Sequence, residues 1–226
     1  MNAVPAIAVL VAAYLVGGIP FGFLIGKLRG VDVRTVGSKN IGATNVFRTV
    51  GRKWGLIAFA CDVLKGMLPT LAAKAYVASG YAMPSPQPWY ELELPLMTGV
   101  CCVLGHMLTP YITDERGRRF HGGKGVATSF GMLVALIPAL VGCAFALFAV
   151  LFACSHYISL GSCGAALALA VAIWFPVLGT AGWRDLPQCV LVTLVSLFIV
   201  WKHRANIGRL VRGEENRIYL FGRRRP

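Results

Sequence analysis

An all-α integral membrane protein of about seven transmembrane helices, N-terminus outside and C-terminus in the cytoplasm, is the fold that the sequence predicts. Three observations predict it. The 226 residues are 57% hydrophobic and only 14% charged, with a mean hydropathy of +0.67, a balance foreign to soluble domains. Val126 to about Leu178 holds no Asp, Glu, Lys or Arg. The 22 Lys and Arg against 9 Asp and Glu, a formal +13, gather in a few segments. In a soluble chain that surplus would suggest nucleic acid; in an apolar one it marks cytoplasmic loops that also hold anionic headgroups or phosphorylated substrates. No nucleic-acid partner is expected. Disorder is excluded by the hydrophobicity, and the 7 Cys, odd in number and seated in or beside apolar runs, read as small buried hydrophobes.

The first apolar stretch, Ala3 to about Ile25, has no basic segment before it, and Gly17-Gly18-Ile19-Pro20 stands where a signal-peptide cleavage site would be, so it reads as a retained span. Lys27, Arg29, Arg34, Lys39, Arg48, Arg52 and Lys53 against Asp32 make the next loop cytoplasmic. A second span from about Trp54 to Val77 carries Asp62 and Lys65, an i, i+3 pair able to neutralise itself; a structural pair and a substrate contact fit equally. The Pro-rich loop Met83 to Trp89, followed by Glu91 and Glu93, has no Lys or Arg and reads as outside. A third span, about Leu94 to Ile112, leads into the basic loop Asp114 to Lys124.

Lys124 and Lys202 both read as inside, so an even number of crossings separates them. One helix over the uncharged stretch would run about 80 Å, far beyond a bilayer core of about 30 Å. Three short spans fit, with breaks at Pro138 and at Ser155-His156-Tyr157-Ile158-Ser159, and a last span from about Pro187 to Trp201 makes four. There is no internal repeat, which counts against an inverted-repeat transporter.

Three polar segments could carry chemistry, all on the expected cytoplasmic side. Gly37-Ser38-Lys39-Asn40-Ile41-Gly42-Ala43-Thr44-Asn45-Val46-Phe47-Arg48 offers hydroxyls, amides and a planar guanidinium to an anion, although a solvated turn has the same composition. Gly122-Gly123-Lys124-Gly125 opens onto an apolar helix, where backbone N–H groups and the lysine suit a phosphate; a capping turn with a snorkelling lysine is the plainer alternative. Arg118 and Gly125 break the Walker A pattern, so ATP hydrolysis has no support. In the tail, His203 and Asn206 share a helical face, a feature that attraction of the arginines to anionic lipid does not require. His106 and His156 stand alone and read as packing residues.

Other chemistries are excluded by pattern. Tyr111, Val126, Gly161 and Gly208 stand five residues after the histidines, so no His-x4-Asp acyltransferase dyad occurs. There is no Gly-x-Ser-x-Gly elbow, no zinc ligand set and no cluster of carboxylates within a span, so neither a metal nor a cofactor is expected. A transporter for an organic phosphate would need polar groups through the membrane, and a headgroup phosphotransferase would need metal-binding carboxylates.

The segments Gly37-Ser38-x-Asn40-Ile41-Gly42-Ala43-Thr44-Asn45-x-x-Arg48, Gly105-His106-x3-Pro110 with Phe120-x-Gly122-Gly123-Lys124-Gly125-Val126-Ala127-Thr128, and His203-x-x-Asn206-Ile207-x-Arg209-Leu210-x-x-Gly213-x-Glu215 resemble the three signature motifs of one family. It is the bacterial membrane glycerol-3-phosphate acyltransferases that use acyl phosphate, the PlsY type. Asp62-x-x-Lys65-Gly66 and Tyr157-Ile158-Ser159-Leu160-Gly161-Ser162 also resemble family patterns, and the likeness runs over about residues 14 to 218. Ala205 stands where the family commonly has Glu, His156 where it has Arg, and Lys39 where Gly is frequent.

The resemblance implies a single membrane-embedded domain over residues 1–226 in the bacterial inner membrane, with its active site facing the cytoplasm. It implies transfer of an acyl group from acyl phosphate to the 1-hydroxyl of sn-glycerol 3-phosphate, which opens phospholipid synthesis. Ser38, Arg48, His203 and Asn206 become the catalytic candidates; Asn40, Thr44, Asn45, Gly122, Gly123, Lys124, Gly125 and Ser159 become the substrate-binding ones. The glycine segment would cradle one phosphate, Ser38 and Arg48 the other, and Asn45, His203 and Asn206 would orient the hydroxyl or the scissile carbonyl. Membrane lipid is the surrounding partner. A membrane-impermeant thiol label should reach a cysteine placed at position 85 in intact cells, and positions 39, 119 and 215 only after permeabilisation. Labelling at 119 in intact cells would overturn the cytoplasmic assignment.

Overall fold

The computed structural model describes residues 4–79, 88–113, 122–175 and 186–219, with backbone alone for residues 4, 5 and 88–92. Ten helices and no strand occur among the described residues: α1 (Val4–Gly18), α2 (Phe21–Leu28), α3 (Ala43–Thr49), α4 (Arg52–Ala78), α5 (Pro88–Met107), α6 (Val126–Leu136), α7 (Pro138–Ser155), α8 (Ile158–Ala172), α9 (Leu186–Lys202) and α10 (Arg204–Val211). Ala6–Leu28, Arg52–Ala78 and Pro138–Ser155 are long and apolar enough to cross a membrane, and Leu186–Lys202 with Arg204–Val211, bent by 52°, makes a fourth candidate. Glu93–Met107, Val126–Leu136 and Ile158–Ala172 are shorter apolar helices. Position 85, most of the Pro-rich loop, the basic loop 114–121 with position 119, the expected end near Leu178 and the basic residues after 219 lie outside the described residues.

The chain divides into two compact units, Met1–Leu136 and Ile137–Pro226. In the first, the expected span Ala3 to Ile25 is two helices. Pro20 cannot donate to the ladder and disfavours helical geometry at Ile19, so α1 stops at Gly18 and α2 restarts at Phe21, carrying the helix to Leu28. The third span is also shifted. Its helix opens at Pro88, as suits a residue with no N–H to lose, and stops at Met107, leaving 108–112 non-helical.

Close crossings build this unit, because small residues let backbones meet where lipid gives little drive to associate. On α1, a Cβ at Gly17 would overlap the Cys102 carbonyl of α5, and one at Gly105 of α5 would overlap the Tyr14 carbonyl. Tyr14 Oη donates to Leu108 O at 2.7 Å, and Thr109 Oγ1 to Gly18 O at 2.7 Å, which ties the two helix ends together. Between α4 and α6, Cβ atoms at Gly66 and Gly131 would strike the Thr128 and Val63 carbonyls.

In the second unit, breaks fall at both expected places. Ile137 precedes the Pro138 that opens α7, and His156 takes a left-handed conformation (φ 62) that ends it. Phe145, Phe148 and Phe152 stack one turn apart along α7, with ring centroids 5.8 and 5.9 Å apart, and Gly161 of α8 sits against Phe148.

Gly66→Ala should lower stability by about 1–3 kcal/mol, since the backbone of α6 leaves no room for a methyl group. Gly142→Ala, in α7 with nothing within 4 Å of its would-be Cβ, should raise stability by about 0.5–1 kcal/mol. Thermal unfolding in detergent micelles measures both, and shifts of the same sign would refute the close-approach explanation.

Candidate active site

The loop between α2 and α3 has a core of its own. Ile25, Val33, Ile41, Val46, Ala58 and Ile112 are buried together. Asp32 and Arg34 pair beside it, Nη2 to Oδ2 at 2.7 Å, while Arg34 Nη1 donates to Thr113 O at 3.3 Å. The hydrogen bond from the Arg34 side chain, set against a smaller desolvation effect, pulls the Asp32 carboxyl down to about 2. The centre of the loop is Asn45, 1% exposed. Its Nδ2 donates to Val33 O and Val36 O at 2.9 and 3.1 Å, and its Oδ1 accepts from Ser38 N at 2.9 Å.

That set corrects the expected role of Asn45. The amide is engaged in shaping residues 33–38, so it positions Ser38 instead of orienting substrate. Gly37 and Lys39 lie on either side of Ser38 with φ 60 and 56, both in the left-handed region that glycine adopts most easily. Asn40 Oδ1 accepts from Gly42 N at 2.8 Å and closes the turn that opens α3. Thr44 and Arg48, both half-buried, are i, i+4 on α3 and share a face; Ser38 is exposed.

The glycine turn also departs from expectation. Gly122 N donates to Met107 O at 2.8 Å and Gly123 N to His106 O at 3.2 Å. These two N–H groups finish α5, so they are not the phosphate donors expected of them. Both glycines are needed because Cβ atoms there would overlap His106. What the turn presents starts at Lys124, half-buried, followed by Gly125 at φ 81 and the first turn of α6, where Gly125 O accepts from Ser129 N at 2.8 Å.

His106 is not isolated as expected. Its Nδ1 is 2.8 Å from Lys65 Nζ and 3.6 Å from Asp62 Oδ1, and Lys65 Nζ is 2.7 Å from the same carboxylate oxygen.

In the second unit, His203 is 4% exposed at the junction of α9 and α10. Its Nδ1 lies 2.8 Å from Ile199 O. A carbonyl only accepts, so Nδ1 carries the hydrogen and Nε2 of the neutral ring is the basic nitrogen. Asn206, one turn on, donates from Nδ2 to Glu215 Oε1 at 2.7 Å; Ser159 Oγ donates to the same oxygen at 3.2 Å, and Arg209 Nε to Oε2 at 2.7 Å. Burial alone would raise the Glu215 pKa, but the bonds from Asn206 and Arg209, the Arg209 charge and the Ser159 hydroxyl outweigh it and hold it below the usual carboxylate range. The sequence reading missed Glu215 as a site residue, although the motif it closes was visible. The acidic pair Glu214-Glu215, following Arg204, Arg209 and Arg212 in the tail, was the signal. The His156 ring lies 4.6 Å from that of Tyr219, and His156 O accepts from Ile218 N at 2.8 Å, so the tail also pins the α7–α8 break. Ala205 is exposed.

The family model described as Glycerol-3-phosphate acyltransferase matches residues 7–213, which contain every candidate that the sequence predicted, while Glu215 lies two residues beyond. The chain belongs to the glycerol-3-phosphate acyltransferase family. Curated relatives of that name include one from Trichlorobacter lovleyi, 41% identical over 92% of this chain and 95% of its own length, and one from Desulforudis audaxviator, 38% identical over 96% and 98%. Among solved structures, the chain is similar to crystal structures of PlsY (YgiH), an integral membrane glycerol 3-phosphate acyltransferase. Its glycerol 3-phosphate form is 35% identical with a TM-score of 0.77 over 95% of this chain and 96% of that one. Its lysophosphatidic acid form is 34% identical with a TM-score of 0.75 over the same shares. The chain is thus a PlsY-type acyltransferase and an integral membrane protein.

Because Glu215 has a folded pKa below its unfolded value of about 4.3, its contribution to stability is complete above that pH and is lost as pH falls through the folded value. Glu215→Gln should therefore cost about 2 kcal/mol near neutrality and progressively less in acid. Denaturation midpoints of both proteins from pH 3 to 7 test this, and a gap independent of pH would refute it.

Proposed function

We propose that the chain acts as a single membrane-embedded domain that transfers a fatty acyl group from acyl phosphate to the 1-hydroxyl of sn-glycerol 3-phosphate, giving 1-acylglycerol 3-phosphate and phosphate. The observation that carries this reading is the chemistry of the site residues. Cations, hydroxyls and amides dominate them, and Glu215, the carboxylate beside Ser159 and Asn206, is neutralised by Arg209. Such a set suits compact phosphates and asks nothing of a metal. The solved relatives in glycerol 3-phosphate and lysophosphatidic acid forms support the acceptor and the product, since the second is the acylated first.

In the proposed reaction the acceptor hydroxyl oxygen bonds to the acyl carbonyl carbon, the carbonyl–phosphate C–O bond breaks, and phosphate leaves with that electron pair. The hydroxyl proton passes to a base, either His203 Nε2 or a substrate phosphate oxygen. A mixed anhydride has a good leaving group, so positioning and charge neutralisation can supply most of the rate. Lys124 and Gly125, seated on Gly122 and Gly123 at the start of α6, hold one phosphate, and Ser38, Thr44 and Arg48 hold the other. Asn40 and Asn45 keep the α3 loop in shape, while Ser159, His203 and Asn206 orient the reacting groups.

The basic segments support a site on the cytoplasmic side of a bacterial inner membrane under the positive-inside rule. Seven apolar segments, counting α1 with α2 and α9 with α10, support seven spans with the N-terminus outside.

Purified protein given acyl phosphate and radiolabelled glycerol 3-phosphate should form the lysolipid, with or without EDTA, and acyl-CoA should substitute poorly. Lys124→Ala or Arg48→Ala should lower kcat/KM about 10- to 100-fold, the equivalent of one charge-assisted hydrogen bond. Arg48→Lys should restore activity only in part, because an ammonium lacks the planar fork. Inorganic phosphate should inhibit as product, less so in whichever variant has lost the donor-phosphate contact. Arg212→Ala, whose Nε pairs with Glu214 at 2.8 Å in the open, is the control. Equal damage by it would indicate a diffuse basic field, and equal rates with acyl-CoA would remove the donor assignment.

A further inference from the structure

One buried cation takes no part in the roles above. The Lys65 side chain is 2% exposed, partway along α4, and its Nζ lies 2.7 Å from Asp62 Oδ1, 2.8 Å from Ile19 O and 2.8 Å from His106 Nδ1. An ammonium has three N–H groups and accepts nothing; here it bonds Ile19 O and His106 Nδ1, and the Asp62 carboxylate beside it matches its charge. Each belongs to a different place. Asp62, one turn earlier on α4, matches the charge; Ile19 sits at the break between α1 and α2; His106 is in the last turn of α5.

The ammonium also decides the state of the imidazole. The nitrogen that faces it must be the one with the lone pair, so the neutral His106 ring carries its hydrogen on Nε2. That edge lies against the glycine turn: a Cβ at Gly123 would overlap Nε2, and one at Gly122 would overlap the His106 carbonyl. The same carbonyl accepts from Gly123 N, and Met107 O accepts from Gly122 N. The backbone and ring of His106 together form the seat on which the residues before Lys124 rest.

We propose that Asp62, Lys65 and His106 are positioning residues for Lys124. They fix the orientation and tautomer of His106, and through Gly122 and Gly123 they fix where the lysine meets a substrate phosphate. This rests on the phosphate-binding role given to that turn above. A seat of this kind acts on affinity for the phosphate held there and leaves the bond-making groups alone.

The test compares steady-state constants and melting temperature in His106→Leu, His106→Asn, Gly123→Ala and the double variant His106→Leu with Gly123→Ala. His106→Leu should raise KM for one of the two phosphate substrates about tenfold with kcat kept within about twofold. His106→Asn, which keeps an acceptor near the place of Nδ1, should recover most of that loss. Gly123→Ala should give the same KM increase, and in the double variant the two costs should not add, because the added methyl group no longer meets a ring. Unchanged KM values in His106→Leu, additive costs, or a joint fall of kcat and melting temperature that His106→Asn does not rescue would each overturn the proposal. Should His106→Leu fail to accumulate, Gly123→Ala alone must still raise that KM with kcat kept, and an unchanged KM overturns the proposal. If the unaltered protein forms no lysolipid, the activity reading fails separately. The seat is then read from the rise in melting temperature given by inorganic phosphate, expected to vanish in His106→Leu and return in His106→Asn; persistence in His106→Leu counts against it.

Discussion

A charged amine enclosed by apolar helices is tolerated only when its charge is matched and every N–H finds an acceptor, and the N-terminal unit is arranged around meeting that demand for Lys65. Asp62 supplies the charge, and the remaining two acceptors come from places where helices end, at Ile19 and His106. Helix ends have carbonyls and side chains that the ladder does not consume, so an ammonium is well suited to join them. Removing the amine would leave the Asp62 carboxylate buried and unmatched, which is costlier than never having had the pair. The i, i+3 spacing on α4 therefore locks α1, α2 and α5 onto one point.

The glycines follow from the same need for proximity. At Gly17, Gly105, Gly66 and Gly131 a missing Cβ lets one helix rest on another's carbonyl, and at Gly122 and Gly123 it lets the turn rest on His106. Gly125 differs, because its φ of 81 is a backbone requirement and its would-be Cβ meets only side-chain atoms at ordinary distances or a little closer. The run from Gly122 to Gly125 thus combines two separate needs: two residues that fit under a helix end, and one that turns the chain into α6.

The fold was legible where chemistry forces a break. Pro138 and the polar run at His156 could not continue apolar helices, and the uncharged stretch could not be one helix; the structure divides the chain at both, and also at Pro20, which the sequence reading passes through as one span. The end of α5 was placed too late: Pro110 cannot donate to the ladder and disfavours helix at Thr109, and the stop at Met107 also depends on Gly122 and Gly123 capping it from elsewhere in the chain. For the site, sequence identified groups able to bind an anion but could not say which of them the protein uses on itself. Asn45 and the first two glycine N–H groups are engaged internally, and Glu215, outnumbered by basic neighbours, is the acceptor that Ser159, Asn206 and Arg209 share. Hydrogen-bond capacity can be read along a chain, whereas its allocation depends on which segments meet.

That allocation also decides how much charge is left for substrates. Of the 9 acidic residues, Asp32, Asp62, Glu214 and Glu215 are each held by a cation of their own unit, Arg34, Lys65, Arg212 and Arg209. Each pair is locally neutral, so none adds to the net charge of +13. Pairing these four carboxylates with structural cations keeps them from repelling an incoming anion. In the proposed reaction both substrates are anions, so a basic surplus would gather two molecules that otherwise repel each other. In that reaction, neutralising both phosphates would let hydroxyl and carbonyl approach by charge alone, and each cation would count most where its surroundings are apolar.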